Sequence, residues 1–163
     1  MTSAVTTKVA LGKGLQVGQP VAIGRQTGSR VLTLAAAAAP SGSADPVDRA
    51  LQAAARRQFD KPAPAAMVEQ VEPATPRRRY SVTQLSNVHY ADGGQADRLL
   101  VYRGDLEAIM ADVKTNREDK FTLRRNAQQV YRAGYRPLGV ATAEGTPDGQ
   151  YGKLTIAGFV PLR

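Results

Sequence analysis

The sequence contains no cysteine and no tryptophan. Without thiols there is no disulfide, no thiolate nucleophile, no cysteine-ligated zinc and no iron–sulfur cluster. Histidine occurs once, as His89, which excludes any site built on two imidazoles of one chain and leaves zinc only a carboxylate-rich option. Aromatic residues are 6% of the chain. Few of them interleave with basic residues, and no RNA- or DNA-binding motif is present, so no nucleic-acid partner is expected. Long apolar runs are also missing. Val31, Leu32, Leu34 and the alanines 35–39 make the longest, about half of the ~20 residues that a membrane span requires, so no direct membrane insertion is expected. The start, Met1-Thr2-Ser3-Ala4-Val5, lacks the basic flank and leucine-rich core of a signal peptide. A Walker loop, a Gly-x-Gly-x-x-Gly fingerprint and a Gly-x-Ser-x-Gly elbow are all absent.

What is present is a chain of 163 residues with 22 Lys and Arg against 14 Asp and Glu, a formal net charge of +8. The length suits one domain. The charge favours an anionic partner but by itself does not choose among nucleotide phosphates, lipid headgroups and nucleic acid.

Glycines scattered through Thr2 to Arg30 break helices, so this stretch reads as short strands and turns. Ser29 stands where an N-cap would precede a leucine- and alanine-rich helix that Pro40 stops. Asp45 followed by Pro46 starts a second helix reaching about Phe59, with Val47, Ala50, Leu51, Ala54 and Ala55 on one face. From Met67 the apolar period changes to two. Strands follow over Arg79 to Leu85 and Leu99 to Tyr102, joined at Asp92-Gly93-Gly94, with His89 in an exposed tip and no assigned role. Asp105 caps a short helix, a longer helix runs from Glu118 to Ala133, and strands Arg136 to Thr142 and Gly152 to Leu162 close the chain. Strands alternating with helix pairs predict an α+β domain: an antiparallel twisted sheet of about six strands flanked by two helical hairpins. Alternation along the strand predicts that the triplet Arg77-Arg78-Arg79 sends guanidinium groups to both sheet faces, where they form either a phosphate fork or a solvated charge run.

Five strings, read in order, resemble the nucleotide-binding (N) domain of P-type cation-transporting ATPases. Asp45-Pro46-Val47-Asp48-Arg49-Ala50-Leu51 resembles that family's Asn/Glu-x-x-Asp/Glu-x-Ala-Leu helix start. Arg77-Arg78-Arg79-Tyr80-Ser81-Val82 resembles its Arg-Lys/Arg-x-x-Ser-Val strand, and Val101 to Ile109 its Lys-Gly-Ala-Pro-Glu turn into a helix. Ala133 to Ala141 is similar to its Gly-Leu/Tyr-Arg-x-Leu-x-Val-Ala strand. Ile156 to Leu162 is similar to its Gly-Leu-x-Pro-Leu edge, closest to the proton- and magnesium-transporting branches. The resemblance covers residues 29–162 of a single domain spanning 1–163, with 1–28 as N-terminal strands of uncertain placement.

The resemblance implies an ATP-binding domain, with Mg2+ in the full-length enzyme, that holds the adenine nucleotide for transfer of a phosphoryl group to an aspartate on a separate domain. It implies as partners the phosphorylation domain and the membrane domain of a parent ATPase, on the cytoplasmic side of a membrane. By position Asp48 would accept from the adenine amino group, Arg78 would contact phosphate or base, and Arg103 would replace the pocket lysine. Gly104 would let the backbone close on the base, and Arg136 would contact the phosphates. No catalytic or metal-ligating residue is implied, because the Asp-Lys-Thr-Gly-Thr phosphorylation motif is absent. Three departures support an alternative, an N-domain-like fold with a degenerate site that serves regulation or protein interaction. Pro73 stands at the position of the stacking phenylalanine, a ring worth about 1–3 kcal/mol against a base, unless Tyr80, Tyr102 or another ring substitutes. Arg103 puts a planar fork where a compact ammonium sits. Asp105 adds a carboxylate beside the triphosphate unless it caps its helix.

Overall fold

Asp45 accepts a hydrogen bond from the Val47 amide at 2.7 Å, and Pro46 at the first helical position loses no bond by lacking an amide proton. Such local signals set the helix starts of this computed structural model, which describes residues 14–40, 42–61 and 65–163. The elements in order are β1 (Val21–Ala22), α1 (Gly28–Ala37), α2 (Pro46–Arg56), β2 (Met67–Glu72), β3 (Tyr80–His89), β4 (Gln95–Asp105), α3 (Leu106–Asp112), α4 (Arg117–Arg132), β5 (Arg136–Glu144) and β6 (Thr155–Leu162). Six strands form one sheet in the order β1-β6-β5-β4-β3-β2, and every neighbouring pair is antiparallel. This is the expected α+β architecture.

The sheet is covered on both faces. The α1–α2 hairpin packs on Leu85, Val88, Leu99, Val101, Val140 and Val160. Helices α3 and α4 pack through Leu106, Ile109, Met110 and Leu123 on Tyr80, Ile156 and Phe159 of the other face. Residues Val31 to Ala36 are buried without interruption. A helix apolar all round is a buried helix, and the small alanine side chains let α1 lie close to both α2 and the sheet.

Several details differ from the sequence expectation. The cap of α1 is Thr27, whose hydroxyl accepts from the Arg30 amide, and Ser29 lies inside the first turn. Only Val21–Ala22, and a single bridge from Val17 to Leu162, represent the strands expected before residue 30; the expectation for residues 2–13 falls outside the described residues. His89 is the last residue of β3 rather than part of a tip.

Two backbone irregularities decide which side chains face which helix pair. At β6 the register with β5 shifts, and Gly158 adopts φ 148°. A Cβ there would overlap the Val21 carbonyl, so glycine alone lets β1 and β6 approach. The bulge turns Ile156 and Phe159 toward α3 and α4 while Ala157 and Val160 face the hairpin. In β3, Asn87 takes φ 60°, and Leu85 and Val88 consequently both face the hairpin.

Candidate functional site

The entrance of β3, the exit of β4 and the start of β5 meet at one end of the sheet. Tyr80 pairs with Gly104, Gly104 with Gly139 and Arg136 with Leu162. The residues that the family resemblance singles out collect around this end, with Asp48 reaching it from the first turn of α2.

Asp48 is 6% exposed. One of its oxygens receives the Arg103 guanidinium at 2.6 Å, and the other accepts the Ser43 hydroxyl at 2.7 Å. Arg103 donates a second bond, of 3.0 Å, to the Ala35 carbonyl, in the last turn of α1, where the helix dipole favours a cation. The pair thus ties both helices of the hairpin to β4. A carboxylate has about four lone-pair sites, so two of those on Asp48 remain for a further donor.

Gly104 fulfils a packing requirement. A Cβ at this position would stand 2.5 Å from the Tyr80 Cα, so the absence of a side chain is what lets β3 and β4 close at this end. Arg78 lies before β3, in a bend rather than on a strand, so the alternation expected of Arg77-Arg78-Arg79 does not apply. Its guanidinium donates to the carbonyls of Glu72 at 3.2 Å, Pro73 at 2.7 Å and Tyr80 at 3.1 Å, and pairs with the Glu72 carboxylate. Arg78 staples the β2–β3 connection. Arg136 is exposed and enters no ion pair among the described residues.

The departures resolve as follows. Asp105 caps α3, accepting from the Ala108 amide at 2.9 Å, and pairs with Arg79 at 3.1 Å, which offsets its charge. Tyr80 and Tyr102 stack on each other with centroids 4.8 Å apart and pack with α3 and α4. They lie on the sheet face opposite Asp48 and Arg103, so neither ring replaces the one missing at Pro73. Burial, and then donation to the Asp112 carboxylate at 2.6 Å, push the Tyr80 phenol up to about 12.

A second feature was not legible in the strings. A cleft of about 420 Å3 opens between the hairpin and β2–β3, walled by Ala55, Phe59, Val68, Val88 and His89, with Gln52 at its polar side. None of Asp48, Arg78, Arg103, Gly104 or Arg136 lines it. Phe59 and His89 are distant in sequence and come to one cleft because the segment following α2 and the end of β3 both wall it.

No family model matches the chain, and no curated protein matches it. Among solved structures it is similar to the N-domain of HMA6, a copper-transporting P-type ATPase, with 17% identity, a TM-score of 0.53 and coverage of 93% of this chain and 100% of that one. The element order, the six-stranded antiparallel sheet and the two helix pairs are therefore those of a P-type ATPase N-domain-like α+β fold.

Proposed function

We propose that this chain is an adenine-nucleotide-holding domain of the P-type cation-transporting ATPase kind, delivering ATP to an aspartate carried on a separate phosphorylation domain. The observation that carries this reading is convergence. In an N-domain-like fold, Asp48, Arg103 and Gly104 adjoin one another and Arg136 opens the next strand at the same sheet end. Asp48 would accept the adenine amino group on its remaining lone pairs. Arg136, exposed and in no ion pair among the described residues, together with Arg77 at the neighbouring strand entrance, would attract the phosphates. Arg78, already engaged by four acceptors, would shape the loop around the nucleotide rather than bind it. Mg2+ would arrive on the triphosphate, since no cluster of three or more His, Cys, Asp or Glu stands ready for a metal among the described residues. The phosphorylation and membrane domains would be parts of a longer enzyme on the cytoplasmic side of a membrane; no helix among the described residues is long and apolar enough to cross one. The ending's likeness to the proton- and magnesium-transporting branches gains no support from a structural neighbour that is copper-transporting.

One observation favours the second reading, a site that has lost its nucleotide. Asp48 and Arg103 satisfy each other, and Pro73 stands where the resemblance expects the stacking ring. Titration with ATP, ADP and AMP, followed by amide shifts of Asp48, Arg103, Gly104 and Arg136, separates the two. Saturable shifts at these positions, weakened at least fivefold by Asp48→Asn, are expected. Unshifted amides at several millimolar nucleotide would establish the degenerate reading.

A further inference from the structure

Helix α4 turns its unburied side to solvent along its whole length, and that side has a composition of its own. At 100° per residue, positions 117, 120, 121, 124, 125, 128, 131 and 132 fall on one stripe about 140° wide, with the buried Leu123 on the far side and the buried Ala127 at its edge beside Lys120. The stripe runs roughly 22 Å at 1.5 Å per residue. It carries the cations Arg117, Lys120, Arg124, Arg125 and Arg132; Asp119 falls off it, and the exposed Glu118 of the first turn stands at its margin, about 20° beyond Arg125. From elsewhere, Glu107 of α3 reaches it and pairs with Arg124 at 3.0 Å. Between the cations stand two aromatic rings, Phe121 at 61% exposure and Tyr131 at 58%. The Arg125 guanidinium lies 5.7 Å from the centre of the Phe121 ring.

We infer that this face of α4 docks the domain on an anionic lipid surface. Cations attract acidic headgroups, and aromatic rings settle at headgroup depth, where an apolar body and a polar surrounding are both accommodated. A straight, convex ridge meets a flat surface along its length. An acidic protein would need a matching concave groove, and a duplex nucleic acid would engage the cations and leave Phe121 and Tyr131 in water. The stripe lies on the sheet face opposite Asp48 and Arg103, so the inference stands apart from the nucleotide reading.

The test is co-sedimentation of the whole chain with vesicles of phosphatidylcholine alone and of phosphatidylcholine mixed with phosphatidylglycerol, at low and high salt. Binding to the mixed vesicles only, abolished by high salt, is expected. Each stripe cation removed should weaken it about fivefold, so Arg117→Gln with Lys120→Gln and Arg125→Gln should weaken it about a hundredfold. Phe121→Ser with Tyr131→Ser should weaken it too, while leaving the salt dependence unchanged. These side chains lie outside the core, and circular dichroism of the variants checks that the fold persists. Absence of binding to mixed vesicles at low salt overturns the inference, as does equal binding by folded variants. Displacement from the vesicles by a single-stranded oligonucleotide at equal phosphate overturns it as well, and would assign the stripe to nucleic acid.

Discussion

Arg103 and Asp48 form a link between layers that are far apart in sequence, and its energetics can be argued from two charges alone. The Arg103 side chain is 16% exposed and that of Asp48 8%. Desolvation at such a site offsets much of the attraction, so the intact pair adds little net stability, whereas removing one partner strands the other. Arg103→Met is expected to destabilise the fold by about 3 kcal/mol, and Arg103→Met with Asp48→Leu to recover most of that loss. Urea unfolding of the two variants measures both numbers. Equal destabilisation by the single and double variants would show that the ionic partner is not what the carboxylate requires. If the nucleotide reading holds, Arg103→Met also frees an acceptor on Asp48, and its effects on stability and on binding are then separable.

At the scale of elements, the short α3 tests how much one cap supports. A helix of 7 residues has little stability of its own, and Asp105 satisfies one of its free amides. Asp105→Ala is expected to cost about 1 kcal/mol in thermal or urea unfolding, with Asp105→Asn recovering most of it. An unchanged midpoint would mean that packing of Leu106, Ile109 and Met110 alone holds the helix. Caps of this kind are written in adjacent residues, which is why Asp45-Pro46, Asp105 and the stop at Gly134 could be read from sequence. So could the antiparallel hairpins, since alternation and turn residues are also local. The phase changes at Gly158 and Asn87 could not, because the φ values there answer to strands packed against them. The same division holds for the site. Likeness of strings brought Asp48, Arg103, Gly104 and Arg136 to one place. That Asp48 and Arg103 bond to each other across 55 residues, that Arg78 folds back on its own loop, and that Tyr80 and Tyr102 occupy the sheet face opposite that pair all depend on register and topology.

Across the whole molecule, one sheet shares two cores, and each core contains a buried tyrosine. Tyr80 belongs to the α3–α4 side and Tyr90 to the α1–α2 side. Burial pushes the Tyr90 phenol up to about 12, with Arg30, 4.2 Å above its ring, acting in the opposite direction. Burial and the Asp112 bond raise Tyr80 to about 12 as well. Both groups therefore hold their protons in the folded state at a pH where the unfolded chain, with tyrosines near 10, has released them. The folded state binds more protons in that window, so stability falls as pH rises. The contribution is fully present below pH 10 and is lost between about 10 and 12, at roughly 1.4 kcal/mol per pH unit for each group. Because the two layers share β3 to β6, loss in either should unfold both in a single transition. Urea midpoints measured between pH 9 and 12 should drop together in near- and far-ultraviolet circular dichroism. Tyr80→Phe combined with Tyr90→Phe should flatten that drop. Tyrosinate absorbance of both residues appearing near pH 10 in the folded protein would contradict the burial argument. A drop seen in one probe before the other would show that the two cores unfold separately.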